Sequence, residues 1–134
     1  DKNKNIKRIK IGKFYDKSLK HIIPESVEFL EFADGYNENL KDVLPKKIVH
    51  LKIGKWYDYI LPYHQFPSTL KTLELAFDYD MFIDSQYLEN VTNITCSYKY
   101  YCKFLNNLDI KRFNFIEQKY SKSSEFIKIE KYNI

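Results

Sequence analysis

The sequence predicts a mainly β solenoid of about five to six turns, each 21–22 residues long. A short apolar frame recurs along the chain, and other residue types keep register with it. Between its copies the chain is too broken by Pro, Asp and Asn for long helices. An apolar-x-apolar core has the period of a strand buried on one face. One strand and one return per unit make a coil. Its strands then stack in parallel on one face, and its returns follow an irregular or 3₁₀ path on the other.

The frame reads apolar-x-x-apolar-x-apolar. It starts at Ile6, Val27, Ile48 and Leu70, with weaker copies at Val91 and Ile110, in steps of 21, 21, 22, 21 and 19 residues. The strand centres are Ile9, Leu30, Leu51, Leu73, Ile94 and Phe113. Four residues after each of the first five strand motifs stands Tyr15, Tyr36, Tyr57, Tyr79 or Tyr100. Asp16, Asn37, Asp58 and Asp80 follow the first four of these, and side chains of that kind bond nearby backbone amides in turns. Repeated once per unit, they predict a stacked structural ladder rather than a metal site. Leu19, Leu40, Leu61, Ile83 and Phe104 come next, and Ile23, Leu44, Phe66, Leu88 and Leu108 close the units. Pro24, Pro45 and Pro67 stand just before the next frame, where a missing N–H is tolerated. Gly12 and Gly54 occupy equivalent places after a strand and predict a backbone bend. Trp56 aligns with Phe14 and is expected to be packed, whereas His64, in a one-residue insertion, is expected in a loop.

The units fall near 5–24, 25–45, 46–67, 68–89, 90–108 and 109–120, with a C-terminal cap over 121–134. In that cap, Phe126 to Ile129 reads as a short closing strand. The first unit begins almost at once after Asp1, so the single repeat domain reads as a fragment of a longer protein, or as an end that contacts another chain.

The block Tyr-[Asp/Asn]-x-x-[Leu/Ile] stands at Tyr15–Leu19, Tyr36–Leu40, Tyr57–Leu61 and Tyr79–Ile83. With the openings Pro24-x-x-Val27-x-x-Leu30 and Pro67-x-x-Leu70-x-x-Leu73, it resembles the FNIP repeat, with Tyr in place of the family's Phe. The resemblance covers about residues 5 to 105 and fades after residue 90. It implies a leucine-rich-repeat-like solenoid, of the kind abundant in social amoebae and large viruses of amoebae. The Lys-, Ile-, Tyr-, Phe- and Asn-rich composition, typical of A/T-rich codons, agrees. It also implies a non-catalytic protein-interaction module, with substrate recognition in an F-box-type protein as one setting, although no F-box segment is present here. A structural component of a large-virus particle is the alternative.

Such coils bind through the outward residues of their strands. One outward column is Arg8, Phe29, His50, Thr72; the other is Lys10, Glu31, Lys52, Glu74, where charge alternates from turn to turn. These eight residues are the candidate partner-binding patch, with Phe29 and His50 at its centre. The competing reading is a solubilising ladder that keeps the strands in register. Enzyme motifs are missing: there is no GxSxG, no HExxH and no Gly-rich phosphate loop. His21, His50 and His64 are scattered, and Cys96 and Cys102 are not spaced as CxxC, so no metal, cofactor or small-molecule substrate is expected. The thiols read as a reduced pair, and no secretory signal or membrane span is visible, which suggests a cytoplasmic or virion setting.

The net charge of +4 hides a banded distribution. By unit it runs +6, −5, +3, −4, +2 and +2, the last figure including the cap. Neighbouring turns therefore attract over the first four units, and no continuous basic face is left for nucleic acid.

Overall fold

The structure, a computed structural model, describes residues 5–120 and 127–133. Seven strands lie in one sheet in chain order: β1 (Arg8–Ile11), β2 (Phe29–Phe32), β3 (His50–Lys52), β4 (Thr72–Glu74), β5 (Asn93–Ser97), β6 (Phe113–Tyr120) and β7 (Ile127–Asn133). The first six are parallel and β7 pairs antiparallel with β6. The closing strand expected around Phe126 to Ile129 falls at β7, while Ser121 to Phe126 lie outside the described residues. The register joins Ile9, Leu30, Leu51, Leu73, Ile94 and Phe113 in one row.

Period-two alternation sends that row inward. Leu30, Leu51, Leu73 and Ile94 are fully buried, and Phe32, Ile53, Leu75, Cys96 and Phe115 form a second buried row. The tyrosine column is inward too, with Tyr36, Tyr57, Tyr79 and Tyr100 buried.

Each unit closes through short turns that its own residues dictate. The tyrosine amide bonds the carbonyl three residues back, as Tyr36 to Ala33 and Tyr57 to Gly54. The proline carbonyl accepts from the residue three further on, as Pro24 from Val27 and Pro45 from Ile48. Successive turns are laced by a recurring fork, in which two consecutive amides donate to one carbonyl of the turn before. Glu28 and Phe29 donate to Lys7, and Val49 and His50 donate to Glu28.

The glycines act differently from the expected bend. No glycine has positive φ. A Cβ on Gly54 would stand 2.4 Å from the Ala33 oxygen, and one on Gly35 would stand 2.5 Å from the Lys13 oxygen, whereas one on Gly12 meets open space. Gly35 and Gly54 thus permit close approach of adjacent turns. Among the described residues the left-handed positions are His21 and Asp42, one unit apart, with φ of 63° and 62°.

The returns carry 3₁₀ turns at Tyr63–Gln65, Ser85–Leu88 and Ile110–Arg112. The expected loop at His64 is thus a 3₁₀ turn, with His64 itself exposed. The fifth return is more helical than expected: a helical turn at Tyr98–Tyr100 runs into a wider π-type turn at Tyr101–Leu105. Ser97 starts it by accepting from the Tyr100 amide at 3.0 Å.

Candidate interaction face

Strand pleat and parallel register place all eight candidate residues on the outward side of β1 to β4. Arg8, Phe29, His50 and Thr72 form one row, and Lys10, Glu31, Lys52 and Glu74 the next. The Arg8 guanidinium lies 4.0 Å from the centroid of the Phe29 ring, and that ring is 5.8 Å from the His50 imidazole. Phe29 is therefore half-buried between a cation and an imidazole rather than freely exposed.

The second row pairs in a way the sequence did not show. Lys10 Nζ reaches Glu31 Oε1 at 3.7 Å. The other Glu31 oxygen turns to His50, whose Nε2 lies 3.0 Å from Glu31 Oε2 and 3.2 Å from Glu74 Oε2. Lys52, which stands between the two glutamates in register, is exposed. The close Glu74 carboxylate, and after it Glu31, push the His50 pKa above the ordinary histidine value, against the opposing effect of burial. Straight-across alternation of Lys and Glu was the expected ladder. Its Lys10–Glu31 rung forms, and at the third strand the imidazole takes the place of Lys52, because a side chain that leans along the strand reaches the diagonal neighbours. Beside this row a cleft of about 330 Å³ opens, with Lys52, Glu74 and Thr95 in its wall.

Trp56 is not packed. It is 65 % exposed, and its column partner Phe14 is 87 % exposed. Both stand on the rim after a strand, and Gly35 occupies the same place in the turn between them. The apolar side chains presented to solvent thus lie on the rim more than on the strand face. Further along the outward rows, Arg112 is occupied in structure: its guanidinium donates to the Leu88 and Val91 carbonyls.

The Asp/Asn column is in part a ladder between turns. Asn37 Oδ1 accepts from the Asp58 amide at 2.9 Å, while Asp80 takes the Lys103 ammonium at 2.9 Å. Cys96 is buried, which pushes its thiol up to about 12, and Cys102 is exposed. Among the described residues no helix is long and apolar enough to cross a membrane.

Residues 36–78 match the family model of the FNIP Repeat. That stretch is less than half of the chain. The matched stretch runs from the second tyrosine of the column through the whole third unit. The fold is also similar to the crystal structure of CroV588, described as a novel circular LRR protein, with a TM-score of 0.64 at 21% identity. That likeness covers 70% of this chain and 14% of CroV588, so the chain corresponds to a small arc of that molecule. No curated protein matches the sequence. The FNIP-type stretch contains His50, Lys52, Thr72 and Glu74 of the candidate face; Arg8, Lys10, Phe29 and Glu31 precede it.

Proposed function

We propose that the chain is a non-catalytic protein-interaction module that engages its partner through the outward strand rows. The observation that supports this most is the row Arg8–Phe29–His50, in which a cation, an aromatic ring and an imidazole pack in series across three turns. It is flanked by Lys10, Glu31, Lys52 and Glu74 and by a cleft. Desolvated aromatic and charged groups at the centre of a polar rim are the usual anchors of protein recognition. FNIP-type repeats on a leucine-rich-repeat-like coil suit the same role, and substrate capture for an F-box-type assembly is its most specific form.

The test compares the wild-type chain with Phe29→Ala/His50→Ala and with Phe14→Ala/Trp56→Ala in quantitative capture from host lysate. A partner retained by the wild type and the rim variant, but lost by the strand-face variant with unchanged circular dichroism, supports the proposal. Loss confined to the rim variant would move the interface to Phe14 and Trp56. Capture unchanged by either pair would remove both surfaces.

A further inference from the structure

We propose that Glu31, His50 and Glu74 form a binding site for a divalent first-row transition ion of the zinc or manganese class. β2, β3 and β4 are neighbouring parallel strands, and Glu31 and Glu74 flank Lys52 in one row. His50 precedes Lys52 by two residues on the same face of β3, and its ring leans forward between the two carboxylates. One ligand atom from each of the three lies within 4.8 Å of the others. Three separate strands thus deliver a nitrogen and two oxygens to one point, although the three histidines are scattered in sequence.

His50 Nε2 supplies a second, independent observation. It is shut off from solvent, and it has no properly directed hydrogen-bond partner among the described residues. Yet the two carboxylate oxygens stand 3.0 and 3.2 Å away. Distance is therefore satisfied and direction is not: both oxygens lie well off the N–H axis. That is a poor arrangement for an imidazolium donating to either carboxylate. It suits co-ligands of a metal. Adjacent ligands about 2.1 Å from a six-coordinate ion are about 3.0 Å apart, and each lies about 45° off the other's bond to the metal. The imidazole selects for transition ions over calcium or magnesium.

The surroundings agree. The Phe29 ring packs beside His50, with 5.8 Å between the ring centroids. The side chains of Glu31 and Glu74 are 30% and 29% exposed, which leaves the remaining coordination positions to water. Lys10 holds the other oxygen of Glu31 at 3.7 Å, and Lys52, between the two glutamates in register, is exposed. Neither occupies an oxygen that faces Nε2.

The experiment needs no partner, so its outcome is separate from that of the interaction proposal. The chain is stripped with EDTA and titrated with Zn²⁺ and with Mn²⁺ by calorimetry and thermal melting, and the His50 ring nitrogens are followed by NMR. The expected result is saturable binding of one ion per chain, a higher melting temperature, and a Zn²⁺-dependent shift of His50 Nε2. His50→Gln and Glu31→Gln/Glu74→Gln should each weaken binding at least about ten-fold. His64→Gln, which removes an exposed imidazole elsewhere, should leave binding unchanged. If His50→Gln does not fold, the double glutamine variant and the wild-type NMR shift decide. Three results would each overturn the site: no saturable binding of either ion, binding unmoved by the double glutamine variant, or a His50 signal that stays imidazolium and ignores Zn²⁺.

Discussion

The hydroxyl of Tyr79 donates to the Tyr59 carbonyl at 2.7 Å and accepts from the Leu61 amide at 3.1 Å. Tyr36 and Tyr100 repeat the first bond with Lys17 and Met81, and Tyr57 repeats the second with Leu40. The return limbs have no sheet ladder of their own, so these hydroxyls pair backbone groups there, of which the Leu40 and Leu61 amides are buried. This explains why tyrosine suits a column where the family's pattern has phenylalanine. Tyr79→Phe should destabilise the chain by about 1–2 kcal/mol, read from urea unfolding, because the Leu61 amide stays buried and loses its acceptor. Burial also pushes Tyr36 and Tyr57 up to about 12, and raises Tyr79 and Tyr100 further. Such phenols support the fold fully below their unfolded value of about 10 and lose that support as pH rises toward the folded value. Stability should therefore begin to fall above about pH 10, by about 1.4 kcal/mol per pH unit for each buried tyrosine. Absorbance at about 295 nm should then show these phenols ionising together with loss of circular dichroism. Ionisation of all tyrosines in a still-folded chain would contradict the burial.

At the scale of the element, close approach of turns sets what each unit tolerates. Gly54→Ala places a methyl against the Ala33 carbonyl and should cost about 1–3 kcal/mol, whereas Gly12→Ala, with open space around it, should stay within about 1 kcal/mol of wild type. Thermal melts of the two variants side by side would test this. The strands and their register were legible because burial on one face leaves a period-two signature, clearest at Leu30, Leu51 and Leu73. The tyrosine column was legible because it repeats in phase. What was not legible depends on space rather than period. Trp56 reads as a packed aromatic until the turn around Gly35 and Gly54 shows it on the rim. The helical return at Tyr98–Leu105 is aromatic-rich and too short for helical periodicity to declare itself. In the candidate site the eight residues could be assigned to two outward rows from phase alone. The meeting of His50 with Glu31 and Glu74 could not, because it is diagonal and depends on side-chain lean. The diagonal distance of two positions on a neighbouring strand is the signal that would have found it.

Over the whole molecule, the charge bands become contacts between turns. Lys7–Glu28, Lys10–Glu31 and Lys20–Asp42 all join the first unit to the second, at 3.4, 3.7 and 3.6 Å. Asp42 is held further by Gln65, which binds both its amide and its carboxylate, and this keeps its carboxyl below the usual range with help from nearby lysines. The Lys7 and Lys10 pairs are largely exposed and contribute at most about 1 kcal/mol each. Raising salt should lower the urea midpoint slightly without changing the slope. A sharp fall would mean that the bands matter more than the core. Deleting residues 121–134 removes β7 and leaves β6 as an open edge, so the shortened chain should unfold at lower temperature and associate, as light scattering would report. The backward reach of each turn has a consequence for how such a chain changes over generations. The fork amides at β2 to β5, and the hydroxyls of Tyr36, Tyr79 and Tyr100, grip the turn before. A unit duplicated or excised whole carries its own connectors with it and meets an equivalent neighbour. Unequal recombination can therefore lengthen or shorten the gene by one unit at a time while the backbone junctions keep their chemistry, and by two units at a time while the alternation of charge is kept as well.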